Sequence, residues 1–489
     1  MRLLDGVEHG SRANLQASTI RPRKIRARSP GQQFMTSKIA GKNDRRQVFG
    51  WMVYDWANSA FYTTTISVLI GPFLIALASK AVGEDGVVLS LGLFDITAKG
   101  LPAFCLAVSV ISMVVMLPIL GAIADYTHLK KRMMAFFAYS GVIVSALLFF
   151  TTESYIAVSI ILIVSNMSFA AANVFYNAFL VDLTTEDNRD RVSSYGYAAG
   201  YVGGVVMLIG NLLLINNAET LGISTGLAVR ISFLAAAIWW GGFAAITFWL
   251  IKSPTDIREI PDGKNILTIG FAEIWETLKE LKRLKLTALF LVGYLCYNDG
   301  IQTVILMSSA FLSNELFTAA ERLEGLDQSF LFTIFLIAQV SAFAGAIGFE
   351  RIARFIGAKR TIIVSLLVWI GIVVYAYGYL ATRTQAMFMG AAIGLVLGSV
   401  QALSRSLYSQ MIPAGRESSF FGLYEISEKG TAWMGQLTFA IIVGATGSFR
   451  HAILGLIVFF VAGLVILILT NTTRAIHEAG NLTPEEAAE

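Results

Sequence analysis

Twelve long apolar stretches alternate with polar connections along the chain. They lie at about 48–78, 101–123, 133–151, 155–181, 194–216, 228–251, 286–312, 329–349, 361–381, 385–410, 419–445 and 450–471. A helix that crosses a bilayer needs about 20 mostly apolar residues, because hydrocarbon offers no hydrogen-bond partner to an unpaired backbone group. The pattern therefore predicts twelve transmembrane helices, numbered spans 1 to 12 in chain order.

Polar segments divide these spans into groups. Residues 1–47 form a basic segment that we expect to be cytoplasmic and disordered, and residues 472–489 form an acidic cytoplasmic tail. The longest connection, 252–285, separates a first half of six spans (48–251) from a second half of six (286–471). It contains an amphipathic stretch, which predicts a helix lying either on the inner leaflet or in solvent as a linker.

The composition is that of a membrane protein. Of the 489 residues, 55% are hydrophobic and only 14% are charged, whereas a soluble domain carries about 25% charged residues. The two cysteines fall inside predicted spans, so a disulfide framework is not expected. The connections that follow the even-numbered spans hold most of the Lys and Arg residues, and this bias predicts that both termini are cytoplasmic.

The two halves of the chain share a pattern of polar residues. Span 1 carries Asp55 and, three residues later, Asn58, while span 7 carries Asp299 and, three residues later, Gln302. A duplicated unit of six spans is typical of transporters whose two halves rock about a binding site at mid-membrane. The sequence thus predicts an all-α membrane protein made of two pseudo-symmetric six-helix bundles.

Four motifs carry a family resemblance. The stretch GAIADYTHLKKR (121–132) resembles the signature of the major facilitator superfamily between its second and third spans. The stretches YDWANSAF (54–61), YNDGIQT (297–303) and QALSRSLYSQMIPAGRESSFFGLYEISEK (401–429) are similar to the branch that contains the autophagy-related vacuolar amino-acid effluxer and prokaryotic relatives of unassigned substrate. The resemblance implies the twelve-span facilitator fold and secondary active transport by alternating access.

Polar residues inside the spans are the candidates for binding solute or coupling protons. An ionisable group at mid-membrane costs about 2.5–3.5 kcal/mol on insertion scales, so it is expected to face a cavity or a partner. These candidates are Asp55, Asn58, Asn173, Asn177, Asp299, Gln302, Gln401, Arg405, Glu425 and Lys429. The asparagines of span 4 fit equally well as interhelical hydrogen bonds.

Three charged candidates lie at a similar depth. Counted from the cytoplasmic side, Asp55, Arg405 and Glu425 lie at one level and form a polar layer. Two interpretations stay open: the layer is a charge network that locks the inner gate, or Arg405 binds a substrate carboxylate through its planar fork.

A second set of candidates belongs to the cytoplasmic gate. Asp125, at the end of span 2, is expected to bridge to a neighbouring helix end and hold this side closed. The gating candidates are Gly121, Asp125, Lys130, Lys131, Arg132 and Arg189. The glycines Gly390, Gly394 and Gly398 of span 10 predict close helix packing.

These patterns favour a transporter over an enzyme. The four histidines lie in loops or terminal segments and no GxxxxGK[ST] motif occurs, so no metal site, cofactor or ATP hydrolysis is expected. A lining of amides, acids and one arginine suits a zwitterion. We therefore expect amino-acid efflux coupled to protons, by a monomer in the lipid bilayer of the cell membrane, with no nucleic-acid partner. A carrier of sugars, nucleosides or drugs, or a membrane sensor or scaffold that transports nothing, is the alternative.

Overall fold

The structure is a computed structural model that describes most of the chain. The described residues are 42–83, 86–90, 95–98, 100–125, 129–253, 266–318, 326–429 and 433–488. Ten helices among them are long and apolar enough to cross a membrane, and shorter apolar helices occupy the two other predicted spans. The prediction of a twelve-span helical membrane protein is confirmed. Most of the basic segment (1–41) and residues 254–265 of the long connection lie outside the described part.

The first half contains spans 1 to 6. They are Arg45–Val82, Leu101–Asp125, Lys130–Phe150, Tyr155–Leu183, Arg189–Asn216 and Thr225–Leu250. Span 1 is irregular, because a π-helical segment, Tyr62–Leu69, interrupts its α-helix. Segments of this kind are rare and often lie at functional sites.

The linker helix, Ile266–Arg283, precedes the second half, which contains spans 7 to 12. Spans 7 to 10 are Lys285–Leu316, Leu326–Ile356, Ala358–Gly378 and Arg383–Gln410. Spans 11 and 12 each consist of two helices, which are Glu417–Lys429 with Trp433–Thr446, and Phe449–Gly455 with Ile457–Leu469. Two short helices, Thr472–Glu478 and Pro484–Ala488, follow.

Polar residues at the helix starts set several boundaries. The Asp44 carboxylate accepts a hydrogen bond of 3.0 Å from the Arg46 backbone N–H, so span 1 begins slightly earlier than predicted. Ser154 caps span 4 in the same way, and Thr382 forms a capping box with Gln385 at span 10. Each cap satisfies an N–H group that the first helical turn leaves without a partner.

A small β-hairpin lies between spans 1 and 2, and the sequence analysis did not predict it. Strand β1 (Val87–Ser90) pairs antiparallel with strand β2 (Asp95–Thr97). The hairpin's Val88 and Ile96 pack against a buried cluster that includes Leu101. Strands of three and four residues are too short to give a readable alternation of apolar and polar positions.

The linker helix contacts both halves: it packs against span 2 and makes polar contacts with the start of span 11. Arg416, just before span 11, donates a hydrogen bond of 2.7 Å to the Thr277 hydroxyl and forms an ion pair with Glu280. Both partners lie on the linker helix, while its Trp275 stays exposed. The helix is therefore held by specific polar contacts as well as by its amphipathic pattern.

Spans 8 and 10 are in backbone contact. A Cβ atom added at Gly394 would lie 2.1 Å from the Ala338 carbonyl oxygen, and one at Gly398 would lie 2.3 Å from the Ala342 carbonyl oxygen. Membrane helices approach this closely only where both surfaces are small. The predicted close packing of the span 10 glycines is confirmed.

We expect Gly394→Val to lower the stability of the purified protein by about 1–3 kcal/mol, because the new side chain forces two packed backbones apart. Thermal unfolding in detergent measures this. Gly371→Val is the matched control, since Gly371 lies in span 9 with no atom within 4 Å of its added Cβ. Equal melting temperatures for the two variants would contradict the proposed role of Gly394.

Candidate functional site

Arg405 of span 10 lies at the centre of the polar layer. Its side chain is 2% exposed, and Nη1 lies 3.5 Å from Oδ2 of Asp55. Nε donates to the Ser193 hydroxyl and Nη2 to the Ser193 carbonyl, both at 2.9 Å, and Nη1 donates to Oδ1 of Asn177 at 3.3 Å. These partners all belong to the first half. The guanidinium is thus fully engaged by protein atoms.

Three aromatic rings enclose the same guanidinium. Its Cζ atom lies 4.2 Å from the ring centroid of Tyr197, 4.9 Å from that of Trp51 and 5.5 Å from that of Tyr176. The Tyr176 hydroxyl also donates to Oδ2 of Asp55 at 2.6 Å. Rings at these distances attract a cation electrostatically. Trp51, Tyr176, Tyr197 and Asp55 are named the cage.

The polar layer is one connected network. Asn177 accepts from Arg405 and donates through Nδ2 to Oε1 of Glu425 at 2.7 Å, so it joins spans 10 and 11 through span 4. Asp55 contacts Arg405 directly. The side chain of Lys429, another candidate of this group, lies outside the described part of the chain.

Further candidates line the region beside the layer. Nδ2 of Asn58 donates to Oδ1 of Asn173 at 3.0 Å, within the first half. The Tyr201 hydroxyl donates to Oε1 of Gln401 at 2.8 Å and so joins the two halves. Asn166 instead bonds Ser109 of span 2 at 2.8 Å, which is the structural role considered for the span 4 asparagines.

Asp299 of span 7 has a different environment. Its Oδ2 accepts a hydrogen bond of 2.7 Å from the Gly435 backbone N–H, in the first turn of the second helix of span 11. Among the described residues, its buried Oδ1 has no hydrogen-bond partner, and neither has the buried hydroxyl of Thr303 one turn away. Gln302 is half-buried beside them. The ion pairs between described residues include none for Asp299.

Asp125 binds the N-terminus of span 11. Its carboxylate accepts from the backbone N–H groups of Ser418 at 2.9 Å and Ser419 at 2.8 Å, and from the Ser419 hydroxyl at 2.7 Å. A helix N-terminus presents unpaired N–H groups and a positive dipole end, so it stabilises an anion. Gly121 makes the approach possible, since an added Cβ would lie 2.4 Å from the Ser418 carbonyl oxygen.

The other gating candidates lie at the same end of the bundle, where span 1 begins and span 12 ends, which we name the terminal face. Lys130 forms a 3.0 Å ion pair with Asp182. Arg189 forms a 2.9 Å ion pair with Glu186 and donates to the Ser409 carbonyl of the second half at 3.3 Å. The side chains of Lys131 and Arg132 are half-buried and exposed, respectively.

Charge is crowded at this face. Burial lowers the pKa of Lys42, just before span 1, and the nearby Arg189 guanidinium lowers it further, while the carboxylates of Glu186, Asp182 and Glu417 act in the opposite direction. The cluster therefore contains acids from both halves of the chain.

Sequence analysis missed several members of these networks, among them Trp51, Tyr176, Ser193 and Asp182. A signal existed for two of them. Trp51 precedes Asp55 by one helical turn and therefore shares its face, and Tyr176 is adjacent to Asn177. No local pattern distinguishes Ser193 or Asp182 from other polar residues near span ends.

Solved structures define the class of protein. The proton:xylose symporter XylE matches with a TM-score of 0.62 and 13% identity over 94% of this chain and 99% of its own. A bacterial homologue of the iron transporter ferroportin, solved in an outward-facing state, matches with a TM-score of 0.59 and 13% identity over 87% and 98%. Together with the twelve spans, they show the fold of a major facilitator superfamily transporter.

Sequence comparison gives the family. The model described as "Vacuole effluxer Atg22 like" matches residues 43–480, and the chain belongs to this family. The uncharacterized MFS-type transporter YxiO of Bacillus subtilis is 32% identical over 87% of this chain and 95% of its own length. Autophagy-related protein 22 of Kluyveromyces lactis is 23% identical over 90% and 96%. The protein is a multi-pass membrane transporter and not an enzyme, as predicted.

We expect Asp125→Ala to open the terminal face, because span 11 loses the carboxylate that binds its first turn. In a background without Cys105 and Cys296, Ser409→Cys supplies a buried thiol at the contact with Arg189. Its labelling by a water-soluble maleimide should become at least about tenfold faster, which corresponds to about 1.4 kcal/mol.

Asp187→Ala is the control, since Asp187 is an exposed acid at the same face. An unchanged labelling rate in Asp125→Ala would reduce Asp125 to a residue that only ends a helix.

Proposed function

We propose that this protein exports amino acids or similar small zwitterions, driven by protons, through alternating access between its two halves (48–251 and 286–471). The observation that carries the proposal is the contrast between two buried acids. Asp55 has a cation, Arg405, 3.5 Å away, whereas one carboxylate oxygen of Asp299 has no hydrogen-bond partner in the part of the chain that the structure describes. One acid therefore serves to join the halves, and the other is available to take up and release a proton.

Asp299 is suited to proton coupling. An ionised carboxylate without a cation is costly in a membrane interior, while a protonated carboxyl is an ordinary hydrogen-bond donor. The Gly435 N–H favours the ionised form, and the unpartnered Thr303 hydroxyl is one turn away. Motion of Trp433–Thr446 would move the Gly435 N–H away from Asp299. The balance between the ionised and the protonated carboxyl would then change.

The terminal face is the gate that is closed in this conformation. Asp125 binds span 11, Arg189 binds the Ser409 carbonyl, and the Ser193 hydroxyl donates to the Ala402 carbonyl at 2.8 Å; each bond joins the two halves at this end. The bias of Lys and Arg toward the same end makes it the cytoplasmic side of a cell membrane. We therefore assign this conformation as closed toward the cytoplasm, with both termini on that side.

The polar residues around the layer support a zwitterionic solute. Asn173, Gln302 and Gln401 are half-buried amides, each able to donate and accept hydrogen bonds. In the closed conformation the Arg405 guanidinium is bound by Asp55, Asn177 and Ser193 of the first half, so it becomes available to a solute carboxylate only when the halves separate at the terminal face. The family description as effluxers supports the outward direction of transport.

We expect Asp299→Asn to abolish accumulation driven by a pH gradient while leaving exchange of labelled solute across the membrane, because an amide cannot carry the proton. Both are measured in proteoliposomes with the same preparation. Asp187→Asn, an exposed substitution of the same chemistry, serves as the control. Accumulation at the parental level in Asp299→Asn would remove Asp299 from the coupling mechanism.

We expect Arg405→Lys to weaken binding of an amino acid at least about tenfold, a loss of about 1.4 kcal/mol, because Lys keeps the charge but lacks the bidentate fork. The measured quantity is the ratio of affinities for an amino acid and for its amide. Both ligands bind the same open conformation. A change in the fraction of open protein therefore affects both affinities equally and cancels in their ratio. An unchanged ratio would show that Arg405 does not bind the carboxylate.

A further inference from the structure

The cage is built entirely by the first half, but its occupant comes from the second. Trp51 and Asp55 lie on span 1, Tyr176 on span 4 and Tyr197 on span 5. Arg405 enters from span 10. Every bond that holds the guanidinium in place therefore crosses between the halves and must break when they separate.

The cage itself does not need Arg405 to keep its shape. The Trp51 indole N–H donates to the Tyr176 carbonyl at 2.8 Å, and the two rings stack with centroids 4.4 Å apart. The Tyr176 hydroxyl orients the Asp55 carboxylate. Gly196 of span 5 leaves the room for this arrangement, since an added Cβ would lie 2.7 Å from a Trp51 ring carbon and 2.9 Å from Oδ2 of Asp55.

An empty cage would be a strong receptor for a cation. It would contain a carboxylate between aromatic faces, and removing one partner from a buried ion pair is costly because the remaining charge is uncompensated. Several aromatic rings around an organic cation are also the usual means of recognising ammonium groups. Water alone compensates such a site poorly, so a ligand that replaces the guanidinium is favoured.

We propose that the cage is a binding site for the ammonium or guanidinium group of a solute, and that Arg405 occupies it as an internal substitute while the terminal face is closed. This rests on the proposed function only in requiring that the halves separate at the terminal face. A solute cation then competes directly with Arg405: when the solute occupies the cage the gate is held open, and when the solute leaves, Arg405 returns and the gate closes. A zwitterion fits between the separated groups, with its ammonium in the cage and its carboxylate on Arg405.

The test uses the purified full-length protein with Arg405→Ala, which empties the cage, and ethylguanidinium or tetramethylammonium as probes. We expect a saturable rise in melting temperature with either cation and none with sodium at equal ionic strength. The same cations should act on the parent only at much higher concentration, because they compete with Arg405 for the cage, and should have no saturable effect on Asp55→Asn/Arg405→Ala, whose cage lacks the acid. Arg416→Ala is the matched control, because it removes a buried arginine far from the cage in sequence.

A second measurement keeps Arg405 in place, in case Arg405→Ala does not fold. In Asp125→Ala with Ser409→Cys, either organic cation should accelerate maleimide labelling, since it competes with Arg405 for the cage, and Asp55→Asn should remove this acceleration. A response that persists without Asp55, or no saturable response in either assay, would overturn the proposal. Neither assay measures transport, so cation binding without amino-acid transport would refute the proposed substrate while the cage site stands.

Discussion

The interaction on which the rest of the structure depends is the buried contact between Asp55 and Arg405. An isolated charge inside a membrane protein is costly, and removing one partner of a buried pair leaves the other uncompensated. Because the acid belongs to the first half and the arginine to the second, neutralising these charges and bringing the halves together are one event. Asn177 extends the same dependence to Glu425 of span 11.

Backbone groups provide the second means of closing the terminal face. Asp125 binds the first turn of span 11 through main-chain N–H groups, and Gly121 lets the two spans approach until only a hydrogen atom fits at its Cα. Such contacts depend on how closely the two backbones approach and not on side-chain length. The contact between the halves at this end therefore combines a charge network at the layer with close backbone packing at the end of the bundle.

The two acids that sequence symmetry pairs, Asp55 and Asp299, have separate chemistry in the folded protein. Asp55 is paired with Arg405 of the other half, whereas Asp299 accepts a bond from the Gly435 N–H and has no second partner among the described residues. A duplicated pattern has thus given one acid that is paired with the other half and one that is bonded by a backbone N–H of span 11. Energetic coupling between Asp55 and Asp299 requires only that the contacts of each acid change when the second half moves.

The sequence by itself determined the spans, the fold class and the depth of the polar layer, because hydropathy and helical periodicity are local properties of the chain. It also predicted that Asp125 bridges to a neighbouring helix end. It did not determine which residues these side chains contact. Asp125 binds backbone N–H groups, Lys130 pairs with Asp182, and Arg405 lies against the rings of Trp51 and Tyr176. Those contacts join residues far apart in the chain, so the packing of spans against one another decided them. The hairpin between spans 1 and 2 was not predicted for a different reason, since its strands are too short to show an alternation of apolar and polar residues.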